Sequence, residues 1–149
     1  MPVKQPEQKQ QHFIRFPDLQ AGYPPFNGEV IYEISSDRIA PLTIKTSGSD
    51  SYLVKLKKSG SGEDVLSVYV CGGESIDIDV PLGTFQLVYA SGSVWYGPTH
   101  LLGEDTSYAK ADELFEFYEE DGYVNGWTVS LYPVSNGNLD TTPIDPEEF

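Results

Sequence analysis

Residues 76–83 read Ile-Asp-Ile-Asp-Val-Pro-Leu-Gly, and this short run narrows the fold more than any other. Apolar and acidic residues alternate with period two, which puts Ile76, Ile78 and Val80 on one face of a strand and Asp77 and Asp79 on the other. Pro81 then sits second and Gly83 fourth in a type I turn. Phe85, Leu87 and Tyr89 alternate beyond it, so the segment predicts a β-hairpin. The same grammar of short run and turn signal recurs from Gly28 onward at about eight to twelve residues, the spacing of all-β sandwiches and barrels.

The predicted strands are 29–34, 42–46, 52–57, 65–70, 76–80, 84–90, 114–119, 127–134 and 139–144. Asn-Gly at 125–126 and at 136–137 reads as two positive-φ turns. One short helix is expected at 106–113, where Asp105 or Thr106 would cap a Ser-Tyr-Ala-Lys-Ala segment. The expected fold is therefore all-β: an antiparallel β-sandwich of about seven to nine strands with one short helical crossover. Ten Tyr, seven Phe and two Trp supply aromatic bulk for its core.

Residues 28–149 are expected to form a single sandwich domain. Residues 1–27 read as a flexible leader and extended arm: the first eleven are rich in Gln, Lys and Pro, and Pro17 with Pro24-Pro25 forbids a central strand. Residues 12–16 are the arm's one strand-like piece. Residues 1–12 have no apolar stretch of signal-peptide type. No apolar run approaches the ~18 residues that a membrane helix needs, so no membrane span is expected.

Charge is distributed unevenly. Residues 61–149 hold 17 Asp and Glu with Lys110 as their one basic residue, whereas residues 1–60 hold eight Lys and Arg against six acids. A net charge of −14 disfavours direct nucleic-acid binding, which needs Lys and Arg at the phosphates. It suits a partner with a basic surface. Lys55, Lys57 and Lys58 are expected to pair with acids on a neighbouring strand.

Residues 80–92 (VPLGTFQLVYASG), Trp95-Tyr96-Gly97 and residues 103–112 (GEDTSYAKAD) resemble an uncharacterised bacterial domain family. Residues 40–48 (APLTIKTSG) and 136–139 (NGNL) fit the same pattern, so the resemblance spans roughly residues 27–149. It implies a small domain of the kind often found behind a membrane anchor or zinc-ribbon segment. It brings no established activity and no catalytic residues, and this sequence lacks the anchor. Residues 69–73 (YVCGG) followed by 80–85 (VPLGTF) are similar to β-sandwich modules of the PEGA and carboxypeptidase-regulatory type. That similarity implies an accessory or surface-binding role.

The residues that carry chemistry point away from an enzyme. Nucleophilic catalysis needs a base within reach of the nucleophile. His12 and His100 are the only histidines, and nothing marks the single Cys71 as activated; it reads as a small core residue. Carboxylate pairs such as Asp77/Asp79, Glu104/Asp105, Asp112/Glu113 and Glu119/Glu120/Asp121 read as a solvated acidic face. Zinc lacks ligands, and no glycine-rich loop is followed by the helix a phosphate site requires. Asn136, Asn138, Asp140 and Glu147 fall at positions 1, 3, 5 and 12 of a calcium-type loop. Thr141 stands where that loop needs glycine, and Pro143 and Pro146 interrupt it, so an ordinary turn and tail is the simpler reading. No cofactor is expected.

Aromatics remain. Trp95, Tyr96 and Tyr108, with His100 and Asp105, fall in a Gly-, Ser- and Pro-rich stretch read as a long loop, where rings and carboxylates combine into a binding surface. The expected function is a non-catalytic binding module presenting an aromatic and acidic loop surface to a protein, peptide or glycan. The alternative is an acidic inhibitor, for example phage-encoded, whose carboxylates mimic nucleic-acid phosphates in a basic groove.

Overall fold

A computed structural model describes residues 22–97, 101–103, 106–131 and 140–149. Eleven strands follow one another among these residues: β1 Val30–Glu33, β2 Ala40–Thr46, β3 Ser51–Lys58, β4 Asp64–Val70, β5 Ser75–Val80, β6 Gly83–Gly92, β7 Ser107–Phe117, β8 Glu119–Glu120, β9 Tyr123–Val124, β10 Trp127–Leu131 and β11 Thr141–Pro143. The excess over seven to nine comes from short pieces, since β8, β9 and β11 have only two or three residues each. A 3₁₀ turn, Pro146–Glu148, is the one helical element among the described residues.

Six strands make the larger sheet, in the order β1-β4-β3-β6-β7-β11, and three make the smaller, β10-β2-β5. Pairing is antiparallel except between β10 and β2, which run parallel with Trp127 opposite Leu42. The inner faces supply one core. Tyr52, Val54 and Leu56 of β3, Leu66, Val68 and Val70 of β4, and Phe85 and Leu87 of β6 meet Leu42, Ile44, Ile76, Val80, Val129 and Leu131 of the smaller sheet. The structure is thus sandwich-like and open at its edges. Pro143 stands on edge strand β11, where its missing amide interrupts no ladder.

The alternation at 76–80 is as expected in burial: Ile76 and Val80 are buried, Ile78 is half-buried, and Asp77 and Asp79 are exposed. The expected hairpin is not formed. β5 pairs with β2, and β6 pairs with β3 and β7, so Pro81-Leu82 is a corner where the chain changes sheets. Alternation fixes which face is buried and leaves the neighbour open, and both arrangements bury the same side chains.

The helical crossover expected at 106–113 is also corrected, because β7 begins at Ser107. A helix that short is marginal in isolation. Here Tyr108–Lys110 instead complete the ladder of β6, with Tyr108 opposite Ala90 and Lys110 opposite Val88. Asn125-Gly126 forms no positive-φ turn either. Gly126 lies outside the set of left-handed glycines, and a Cβ there would come within 2.9 Å of the Pro41 carbonyl, so glycine lets β10 approach β2. The 136–137 turn and the 12–16 strand lie outside the described residues.

The outer face of the large sheet carries a second, smaller cluster: Leu53, Tyr69, Val88, Ala90, Trp95, Leu102 and Phe149. Phe149 is seated by β3. Lys55 Nζ lies 4.0 Å from its ring centroid and donates to its carbonyl oxygen at 3.0 Å, while Lys57 Nζ donates to the Glu148 carbonyl at 2.9 Å. Burial lowers the Lys55 pKa, with Asp64 acting against that shift. Lys55 and Lys57 pair with Asp64 of the next strand as expected, whereas Lys58 pairs with Glu63 in the connection just before it. Of the arm, Gly22 N–H donates to the Trp95 carbonyl at 3.0 Å, and Tyr23 beside it is exposed.

Candidate functional site

The structure redistributes the residues expected to form a binding loop. Trp95 is 7 % exposed, its ring edge-on to Tyr69 at 5.4 Å, so it belongs to the outer cluster. Tyr96 is half-buried against Gly103, where a Cβ would lie 2.6 Å from the ring. Tyr108 is half-buried in β7, 5.3 Å from the Phe149 ring. His100 and Asp105 lie outside the described residues. These aromatics pack on the sheet more than they project from it.

Asn136 and Asn138 of the calcium-type spacing also lie outside the described residues. Asp140 and Glu147 are both exposed, and strand β11, extended along β7, runs between them. Among the described residues no group of three or more His, Cys, Asp or Glu is placed to hold a metal ion. Cys71 is only partly buried, just past β4, and burial, then Glu74, pushes its thiol pKa up. A raised pKa lowers the thiolate fraction and with it nucleophilicity.

Two other features stand out. The first is the ribbon that continues β7 into the β8–β9 hairpin. Glu119 pairs with Val124 and Glu120 with Tyr123, leaving Asp121-Gly122 as a two-residue loop. Both loop residues have positive φ, 54° and 81°, the signature of a type I′ Asp-Gly turn. Asn125 fixes the base of the ribbon: its Oδ1 accepts from the Tyr118 amide at 2.7 Å, and its Nδ2 donates to the Glu116 carbonyl at 2.8 Å. Trp127 Nε1 donates to that same carbonyl. Phe115, Phe117 and Val124 turn inward to the core.

Period two then sends Leu114, Glu116, Tyr118 and Glu120 outward, with Tyr123 directly across from Glu120. All five are exposed, Tyr123 to 80 %. Among the described residues, none of these carboxylates forms an ion pair. The result is a stripe in which apolar and aromatic side chains alternate with acids. Asp121-Gly122 was a legible turn signal, but residues 114–120, Leu-Phe-Glu-Phe-Tyr-Glu-Glu, alternate apolar with acidic only over Phe115-Glu116-Phe117.

The second feature is a cleft at the opposite end of β7. There Asp50, Tyr52, Tyr89, Ser91, Ser107 and Tyr108 line a cavity of about 290 Å³. The Tyr52 and Tyr89 rings meet edge to face at 5.6 Å and 69°. Burial first, then Tyr89 and Asp50, pushes the Tyr52 hydroxyl pKa up to about 12.

An alkaline signature follows. Between pH ~10 and ~12 the unfolded chain has lost the Tyr52 proton and the folded chain keeps it, so stability is complete below that window and declines through it. Urea midpoints measured from pH 9 to 12 should fall in that window, and Tyr52→Phe should flatten the slope. Tyr69, also raised by burial, keeps part of it. An unchanged slope in Tyr52→Phe would place the hydroxyl in solvent.

No family model, curated protein or solved structure matches this chain.

Proposed function

We propose that the chain is a non-catalytic binding module whose β7–β9 stripe docks on a protein with a basic surface. The observation that carries this reading is the shared outward face of Leu114, Glu116, Tyr118, Glu120 and Tyr123, with two tyrosines flanking a glutamate. Exposed tyrosines supply contact area at low conformational cost and are over-represented among residues that dominate binding energy. The interleaved acids add steering toward a basic partner and favour a protein over a neutral glycan.

Capture of a binding protein on immobilised chain tests this. Tyr118→Ala with Tyr123→Ala should weaken capture at least ~30-fold, the loss of about 2 kcal/mol expected for hot-spot truncation. The melting temperature should stay within about 2 °C, because neither ring is in the core.

A second reading rests on the acidic bias of residues 61–149. An acidic mimic of nucleic acid would hold its partner through carboxylates alone. Glu116→Lys with Glu120→Lys and raised salt would then abolish capture, whereas the double tyrosine variant would retain it. That pattern would replace the tyrosine-anchored reading with the mimic.

A further inference from the structure

We propose that the tyrosine-lined cleft between the ends of β3, β6 and β7 binds an organic cation, the alkylammonium head of a lysine-type side chain, with Asp50 as its counter-ion. The cleft lies at the other end of β7 from the stripe, so this assignment is separate from the docking reading.

Four observations select the ligand class. First, the lining residues offer a carboxylate, phenol and serine oxygens and no basic side chain. Asp50 makes no ion pair with any described residue. Second, Tyr52 lines the cavity and its hydroxyl has no hydrogen-bond partner among the described residues, so that oxygen is open to a donor on a ligand. An ammonium with three N–H donors satisfies acceptors of this kind. Third, Asp50 lies close enough to add to the rise in the Tyr52 pKa that burial and then Tyr89 begin, so the cavity holds a negative charge that a cation offsets and an anion does not. Fourth, the edge-to-face arrangement of Tyr52 and Tyr89 presents no flat platform for a sugar ring. It does give a point charge access to aromatic surface, as Lys55 already has over Phe149. At about 290 Å³ the cavity suits one side chain better than an extended ligand.

The test is a titration of the full chain with n-butylammonium chloride at constant ionic strength, followed by amide ¹H–¹⁵N shifts. The amides of Asp50, Ser91, Ser107 and Ala109 should shift saturably with a Kd of about millimolar, as expected for five heavy atoms. n-Butanol, of the same shape without the charge, should bind at least tenfold more weakly. Asp50→Asn should weaken n-butylammonium at least tenfold while the remaining amide spectrum is retained, and Tyr89→Leu should weaken it without touching the charge. The Tyr118→Ala/Tyr123→Ala chain should titrate as the parent does.

Equal binding of n-butanol would overturn the proposal in favour of an apolar cleft. Maltose shifting the same amides in place of n-butylammonium would overturn it in favour of a glycan site. Indifference to Asp50→Asn, or dependence on the two stripe tyrosines, would show that the cation binds elsewhere.

Discussion

Phe117→Ala should lower the unfolding free energy by about 3–5 kcal/mol, while Tyr118→Ala, one residue further on, should change it by less than ~0.5 kcal/mol. Phe117 is 1 % exposed and packs 6.1 Å from Phe85, directly where the last pair of the β6–β7 ladder sets it opposite Gly83. Removing the ring loses its transfer free energy and leaves a cavity that two packed sheets cannot collapse to fill. Domains of this size have only about 5–15 kcal/mol in reserve, so the melting temperature should fall by roughly 10 °C. Urea unfolding of both variants is the measurement, with the midpoint moving at constant slope. A loss below ~1 kcal/mol for Phe117→Ala would mean that the inward and outward faces of β7 are exchanged. The stripe would then fall with the register.

Gly72→Ala should destabilise by about 1–3 kcal/mol, through backbone crowding. A Cβ at position 72 would lie 2.6 Å from the carbonyl oxygens of both Ser49 and Asp50. Those atoms are main chain and cannot rotate away, so the 47–50 connection must shift as a unit. That connection is held to the turn after β4 by Gly72 N–H donating to Ser51 Oγ at 3.2 Å. Because Asp50 lines the cleft, the same substitution should also displace its amide resonance and weaken n-butylammonium. Urea unfolding and the amide spectrum report the two effects. A variant as stable as the parent with an unmoved Asp50 amide would contradict the close approach.

Much of the fold was legible, and for one reason. Side chains in a strand alternate, so a half-buried sheet writes its pattern into the sequence. Ile76, Ile78, Val80, Phe85 and Leu87 were placed in the core and Asp77 and Asp79 in solvent on that ground, and the structure agrees except at Ile78, which is half-buried. β7 was misread because Ser107–Ala111 has small residues and a capping candidate, and local preference is a weak prior that ladder pairing with β6 overrides. Trp95 was misread because loop composition says nothing of what lies beneath a loop. Here Tyr69 and Leu102 do.

The surface follows the same division. Glu119, Glu120 and Asp121 were seen as a group, but Glu116, Tyr118 and Tyr123 were not joined to them, since the two strands that carry Tyr118 and Tyr123 become neighbours only through the Asp121-Gly122 turn. The cleft had no local signal at all: Asp50, Tyr89 and Ser107 meet from three separate strands and connections. By itself the sequence determined an all-β chain, the face each strand buries and the acidic bias of its second half, because these depend on period, turn chemistry and charge count. Only the tertiary structure decided that Val80 and Phe85 belong to different sheets, that β7 is a strand and that the Phe149 ring closes the outer face. Those outcomes depend on which distant backbone satisfies each amide and which distant side chain covers each apolar face, and neither is written within any one segment.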